Sequence, residues 1–244
     1  MGGLGVPAAS ALVRAGAERI GLVDPDPVEL SNLARQVLYG AASLGRLKVE
    51  AAAERLRENH LQNNLQNNLN DHPKLAIETH PVALNLSNAA ELIARYGFVI
   101  DATDDPSAKF LINDTCLALR RPFVYAGVLG MTGQAMTVLP GRTACLRCLF
   151  EDAPEPGEIA SCREAGIIGP VAAMIGEIEA AEALRWRGGG VPELAGKILT
   201  YDGTASGRIR TLAIAPRAGC ACDAARRAEN PATLAPERNP SRNQ

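Results

Sequence analysis

The chain lacks a strong charge of either sign: 25 Lys and Arg stand against 27 Asp and Glu, for a net charge of -2. A general nucleic-acid binder usually shows a basic patch, so no nucleic-acid partner is expected. Long hydrophobic runs are also missing. The longest apolar stretches fall far short of a spanning helix, so no membrane partner is expected either. The N-terminus has no basic segment leading into an apolar core and a cleavage site, which is the pattern of a secretory leader. The expectation is a soluble, cytoplasmic protein. What is present is 244 residues that are 47% hydrophobic. That suffices for one sizeable core, or for one large domain with an appendage. The six cysteines are Cys116, Cys145, Cys148, Cys162, Cys220 and Cys222. In a cytosolic enzyme of this size, paired spacings favour metal binding or catalysis over disulfides.

One more absence concerns structure. The chain opens "MGGLGVPAASALVRAGAERIGLVD", a glycine cluster that runs into a helical pattern from Val6 to Ala15. Such a loop normally follows a strand, and none precedes Met1. The expectation is a start assigned too late or a shortened gene. It would leave a slot in the sheet beside the strand that ends at Asp24.

Further along, "ERIGLVD" reads as a buried strand and "DPDPVELSN" as a loop rich in breakers. "GRLKVEAAAERLREN" is a strong helix and "KLAIET" a strand. "SNAAELIARYG" is a helix with a serine cap and a glycine stop. "FVIDATDD" is a strand with its exit loop, "PSAKFLINDTCLALR" a helix and "PFVYAG" a strand. This alternation predicts a mostly parallel sheet with helices on both faces. Near residue 127 the pattern changes. "GQAMTVLP", "KILTYDG" and "GRIRTLAIA" read as antiparallel strands around one long apolar helix, "IIGPVAAMIGEIEAAEALRWR". The tandem "LQNNLQNNLND" reads as a tolerant surface loop, with a partner-binding loop as the other reading. From Asp223 the chain is polar and carries three prolines, which predicts a disordered tail over 223–244.

The chemistry-bearing pieces come in order. Backbone amides at a helix N-terminus bind phosphate oxygens, and glycine lets a ligand approach closely. Gly5 lies 19 residues before Asp24, a spacing at which a carboxylate reaches a ribose hydroxyl. Read alone, the same loop is also consistent with a tight strand–helix turn. Ser31, Asn32, Arg35 and Gln36 sit in and just after the loop leaving that strand. A guanidinium at Arg35 matches two phosphate oxygens at once. Lys48 stands near a helix start, within reach of another phosphate. Asp104 falls just past a strand's carboxyl end, where ligands bind in open α/β sheets, and a carboxylate there can hold Mg²⁺. Cys145 and Cys148 form a C-x-x-C pair, with Cys220 and Cys222 far downstream. Four thiolates in two pairs fit a structural zinc site, and unrelated buried thiols are the alternative. Cys162, before a helix and beside Arg163, has a setting that lowers a thiol's pKa. Cys116 reads as core packing.

"GGLG", "VDPDPVELSNLARQ", "GRLKVE", "DATDD", "CLRC" and "SCREAGIIGPVAAMIGEIEAAEAL", in this order, resemble the ThiF/MoeB/HesA family, the bacterial relatives of ubiquitin-activating enzymes. The resemblance covers about residues 2–222. It implies a Rossmann-like α/β fold with a mixed C-terminal extension that carries the zinc site. It divides the chain into a nucleotide-binding half (1–126) and a carrier- and zinc-binding half (127–222) of one adenylation domain. It implies adenylation by Mg-ATP of the C-terminal glycine of a ubiquitin-like sulfur-carrier protein, of thiamine or molybdopterin type. By the resemblance, Gly2, Gly3 and Gly5 belong to the nucleotide loop, Asp24 is the ribose-binding acid, and Asn32, Arg35 and Lys48 touch phosphates. Asp104 is the essential acid near Mg²⁺. Cys145, Cys148, Cys220 and Cys222 hold Zn²⁺. Cys162 acts in sulfur transfer or a covalent carrier link in some relatives and not in others. A homodimer is implied, with a cysteine desulfurase or sulfurtransferase as a further partner. Three departures stand out: the missing strand together with a preceding segment that supplies an arginine to the partner's ATP site, Asp105 where the family has Asn, and C-x-C in place of a second C-x-x-C. The first departure favours a rival, a non-catalytic zinc-stabilised dimer that only binds a carrier. A nicotinamide-dependent oxidoreductase ranks third, because it leaves "SNLARQ" and the cysteine pairs unexplained.

Overall fold

The computed structural model describes residues 1–66, 74–154, 166–204 and 207–222. The glycine cluster leads into helix α1 (Gly5–Arg14), whose buried face includes Val6, Ala9 and Val13. The helix ends where Gly16 turns to a φ of 77°, a left-handed conformation that costs glycine little. There the Gly16 N–H donates to the Val13 carbonyl at 3.0 Å and the Ala17 N–H to the Leu12 carbonyl at 2.9 Å. This closing turn feeds strand β1 (Arg19–Val23). After two short 3₁₀ turns (Leu30–Asn32 and Ala41–Ser43), helix α2 (Lys48–Gln66) packs on α1, and strand β2 (Ala76–His80) pairs parallel with β1. Val6, Leu22, Val49 and Leu56 join these elements into one core.

Helix α3 (Ala89–Ala94) and strand β3 (Val99–Asp101) precede α4 (Pro106–Ala118). A mixed five-stranded sheet follows in the order β3-β4-β5-β6-β7, with β4 (Phe123–Leu129), β5 (Thr132–Val138), β6 (Lys197–Asp202) and β7 (Arg208–Ala213). β3 runs parallel to β4, and the β4–β5, β5–β6 and β6–β7 pairs are antiparallel. The change of pattern near residue 127 is therefore the turn from parallel to antiparallel pairing within one sheet. The short helix α5 (Leu146–Leu149) and the long α6 (Gly169–Arg187) complete the order. α6 lies against α1 and the β4–β5 face. It approaches so closely that a Cβ on Gly176 would fall 2.5 Å from the Leu4 carbonyl oxygen. That contact seats the glycine cluster on α6. The antiparallel outer strand β7 is exposed along its whole length.

Two local expectations change. α2 continues through the first LQNN copy to Gln66, where a loop was expected. Leu and Gln are good helix formers, and extending an existing helix is far easier than starting one. The rest of that tandem, and the expected tail, lie outside the described residues. α3 is preceded by Asn88 rather than capped by Ser87, and no side chain caps its first amides. Asp105 accepts the Ser107 N–H at 3.0 Å and caps α4, with Pro106 in its first turn. Its carboxylate is thus a helix cap, at the position where the sequence departs from the family's Asn.

β1 and β3 are not paired with each other. Residues of both strands line one cavity of about 2480 Å³ between the two sheets.

Candidate functional site

The cavity draws together most of the residues singled out in the sequence. Gly2, Gly3, Gly5, Asp24, Asn32, Arg35, Lys48 and Asp104 all line it. The Gly2, Gly3 and Leu4 N–H groups enter none of the hydrogen bonds among the described residues, and they sit at the N-terminus of α1. Unpaired amides at the positive end of a helix attract an anion.

Charges around the cavity are tied to one another. Asp24 pairs with the Met1 ammonium group, and the Asp26 N–H donates to its Oδ1 at 2.9 Å. Burial pushes the Asp24 carboxyl upward. The Met1 ammonium, these hydrogen bonds and Lys48 outweigh it and hold the carboxyl below the ordinary carboxylate value. Lys48, the first residue of α2, is buried. Its Nζ lies 2.9 Å from Asp26 Oδ2 and 3.6 Å from Asp24 Oδ1. Asn32 is buried and accepts the Glu29 N–H at 3.2 Å, so its role here is to shape the turn. Arg35 folds back, with Nη1 donating to the Ser31 carbonyl at 2.9 Å, and takes part in no ion pair among the described residues. Asp104 is exposed, also without an ion pair among the described residues.

The structure adds residues that the sequence reading gave no role. Tyr39 donates its hydroxyl to the Met1 carbonyl at 3.0 Å. Beneath Asp104, the buried Asp101 accepts the Thr103 hydroxyl at 2.7 Å and lies 3.4 Å from Lys109 Nζ. Lys109 also donates to the Ala126 carbonyl at 2.5 Å and sits over the Tyr125 ring, on the cavity wall. Glu179 of α6 is fully buried, and neither carboxylate oxygen has a hydrogen-bond partner. Burial pushes its carboxyl well above the ordinary value. Nearby Asp101 adds to that, and Lys109 opposes it. The only forward signal for Lys109 was its place in the first turn of the helix that follows Asp104.

The four paired cysteines form a second, separate cluster. All four Sγ atoms lie within 4.8 Å of one another. Cys145 to Cys220 is 3.5 Å, Cys148 to Cys222 3.3 Å and Cys145 to Cys148 4.0 Å. A tetrahedral zinc with 2.3 Å bonds needs sulfurs about 3.8 Å apart, so the donor set fits, C-x-C pair included. Two side chains of α4 position the first pair. Asn113 accepts the Leu146 N–H at 2.9 Å, and Asp114 takes a two-pronged bond from Arg147, both at 2.9 Å. Burial pushes the Cys145 thiol up to about 12. At Cys148 burial also works upward, but backbone hydrogen bonds from Arg217 and Cys145 prevail and hold it below the ordinary thiol value. Cys116 is buried core, as expected. Cys162 lies outside the described residues.

Comparison with known proteins places the chain. The model of the ThiF family matches residues 1–223. The sulfur carrier protein adenylyltransferase of Thermus thermophilus is 39% identical over 206 residues, 82% of this chain and 72% of that protein. The adenylyltransferase and sulfurtransferase MOCS3 of Aedes aegypti is 35% identical over 221 residues, 90% of this chain and 48% of that protein. The chain thus spans about half the length of the MOCS3 relatives it matches. Among solved structures, Escherichia coli MccB with ATP superposes with a TM-score of 0.74 at 19% identity, covering 91% of this chain and 64% of that one. At that identity the likeness speaks to the fold, which is Rossmann-like α/β. Sequence and fold agree: the chain belongs to the ThiF family.

Proposed function

We propose that the chain uses ATP to adenylate the C-terminal glycine of a ubiquitin-like sulfur-carrier protein. The observation that carries this reading is the single cavity that gathers the glycine cluster, Asp24, Arg35, Lys48 and Asp104. The names of the relatives, adenylyltransferases in both cases, support it and do not favour a non-catalytic carrier binder.

In this reading the free loop amides and the α1 N-terminus receive phosphate, and Asp24 receives the ribose. Arg35 and Lys48 swing from the Ser31 carbonyl and Asp26 onto phosphate oxygens, exchanging internal partners for the ligand. The carrier's terminal carboxylate oxygen attacks the α-phosphorus, and the bond from that phosphorus to the bridging oxygen breaks. Pyrophosphate leaves with the electron pair. The nucleophile is already an anion, so no general base is needed. The work is positioning and stabilising charge on the phosphoryl oxygens. Asp104 would hold Mg²⁺, which supplies further neutralisation of the phosphates. Cys145, Cys148, Cys220 and Cys222 would hold Zn²⁺, which supplies a structural cross-link between α5 and the chain's return after β7.

A homodimer, a sulfur-donating desulfurase or sulfurtransferase, a cytoplasmic setting and a sulfur-transfer role for Cys162 complete the proposal. No helix among the described residues is long and apolar enough to cross a membrane. The test is direct. The chain, ATP, Mg²⁺ and thiamine- or molybdopterin-type carriers are combined, and the carrier is examined by mass spectrometry. A carrier bearing one adenylyl group on its terminal glycine supports the reading. Unmodified carriers throughout reject it.

A further inference from the structure

Gln36 stands directly after Arg35 and is 3% exposed, yet it lines the cavity. Its backbone is locked in a turn: its N–H donates to the Asn32 carbonyl at 2.9 Å, and its carbonyl accepts the Tyr39 N–H at 3.0 Å. The side chain reaches the glycine cluster, with Nε2 3.8 Å from where a Cβ on Gly2 would sit. From the same turn, the Tyr39 hydroxyl holds the Met1 carbonyl. One short segment therefore grips the cluster at two successive residues. The Gln36 Oε1 is enclosed and has no hydrogen-bond partner. In the half-buried glycine cluster itself, the N–H groups of Gly2 and Gly3 also lack partners among the described hydrogen bonds. A buried acceptor without a donor is costly. The carboxamide that carries this oxygen lies against Gly2.

We propose that Gln36 is a positioning residue for the phosphate loop. When the cluster closes on a polyphosphate, the Gln36 carboxamide oxygen accepts an N–H from the Gly2–Gly3 backbone, and the remaining loop amides are left aimed at the anion. An amide suits this place because it is a strong acceptor with no net charge. A carboxylate would repel the phosphates, and a hydrocarbon would leave the loop unfixed. The inference rests on the nucleotide reading above and adds to it the residue that sets the loop's geometry.

Gln36→Met keeps the volume and removes the hydrogen-bonding groups. Gln36→Glu keeps an acceptor of the same shape and adds charge. Both are made in the full chain. Dissociation constants are measured for ATP directly and for adenosine by competition, alongside thermal melting. Gln36→Met should weaken ATP about tenfold, the size of one lost hydrogen bond, leave adenosine affinity unchanged, and melt no lower than wild type because a buried unpaired acceptor is gone. Gln36→Glu should fold and weaken ATP further, with adenosine again unchanged. Adenosine is the readout that a general structural loss would move. Wild-type ATP affinity in either variant overturns the proposal, and so does a parallel loss of ATP and adenosine. If the wild-type chain binds no ATP at all, the nucleotide reading itself fails and this inference falls with it. ATP binding that persists through both substitutions removes only the role of Gln36.

Discussion

The cysteine cluster and the cavity between the sheets are built on opposite plans. The cluster is closed. Three of its four cysteines are buried, its sulfurs already stand near tetrahedral spacing, and Asn113 and Asp114 hold its first turn against α4. The cavity is open, and its cations are parked on neighbours: Lys48 on Asp26 and Asp24, Arg35 on a backbone carbonyl. Under the proposed function, the difference follows from what each kind of site would do. A structural metal site gains most from donors fixed in advance, because its binding energy becomes folding energy. A site that takes and releases a polyphosphate needs groups that can trade one partner for another.

If that contrast is right, the two regions break separately. Arg35→Ala and Asp104→Ala should each lower adenylation roughly 100–1000-fold, the usual cost of losing one such electrostatic contact. Zinc content and melting temperature should stay at wild-type values. Adenylation assays paired with metal analysis check this, and near-normal rates in both variants would reject the assignment.

Cys145→Ser should do the reverse. Zinc should fall from about one per chain to a small fraction of that, and the melting temperature by about 5–10 °C. Each kcal/mol is worth about 2–4 °C in a chain of this size. A melting curve that does not move would mean that the thiols are ordinary core.

A fourth variant sharpens the border between the regions. The native chain keeps a proton on Glu179 that the unfolded chain releases above about pH 4.5, its ordinary value. Unfolding then gives up a proton, so wild-type stability falls as pH rises from about 4.5 toward the raised native value. Glu179→Gln should remove that slope and melt higher than wild type by a few degrees at pH 8, at about 2–4 °C per kcal/mol. The gain should shrink toward pH 5. Parallel melting profiles of the two proteins would contradict it.

The smallest effect belongs to Asp26→Asn. Asp26 is 61% exposed in its pair with Lys48, and exposed pairs contribute about 0–1 kcal/mol. Freeing Lys48 should tighten ATP by a few-fold at most, seen by calorimetry. A large loss of ATP affinity would show that Asp26 touches the nucleotide.

Much of this was legible in the sequence where the signal is local. The glycine cluster before α1, Asp24 at a strand end and the cysteine pairs are short spacings of distinctive residue types. The geometry of each follows from its neighbours along the chain. Gln36, Lys109 and Glu179 were not legible in that way, because their significance is burial, and tertiary packing alone decides burial. Glu179 is one acid within an apolar helical string, and only the packing of α6 buries it near Asp101. The helix through LQNN was missed because composition suggested a loop, whereas propagation from α2 decided the outcome. The strands beyond residue 127 were found, but a list of strands does not reveal that β5 pairs with β4, so how the mixed extension joins the sheet came only from the structure.

The central claim is that the cavity's charges are parked for a nucleotide whose α-phosphorus a carrier carboxylate attacks. Carrier-dependent exchange of labelled pyrophosphate into ATP tests it most directly, with the wild-type chain and Arg35→Ala measured side by side. The account predicts exchange that requires the carrier's terminal glycine and falls at least about 100-fold in Arg35→Ala. Exchange that proceeds without the carrier, or equally well in both proteins, would contradict it.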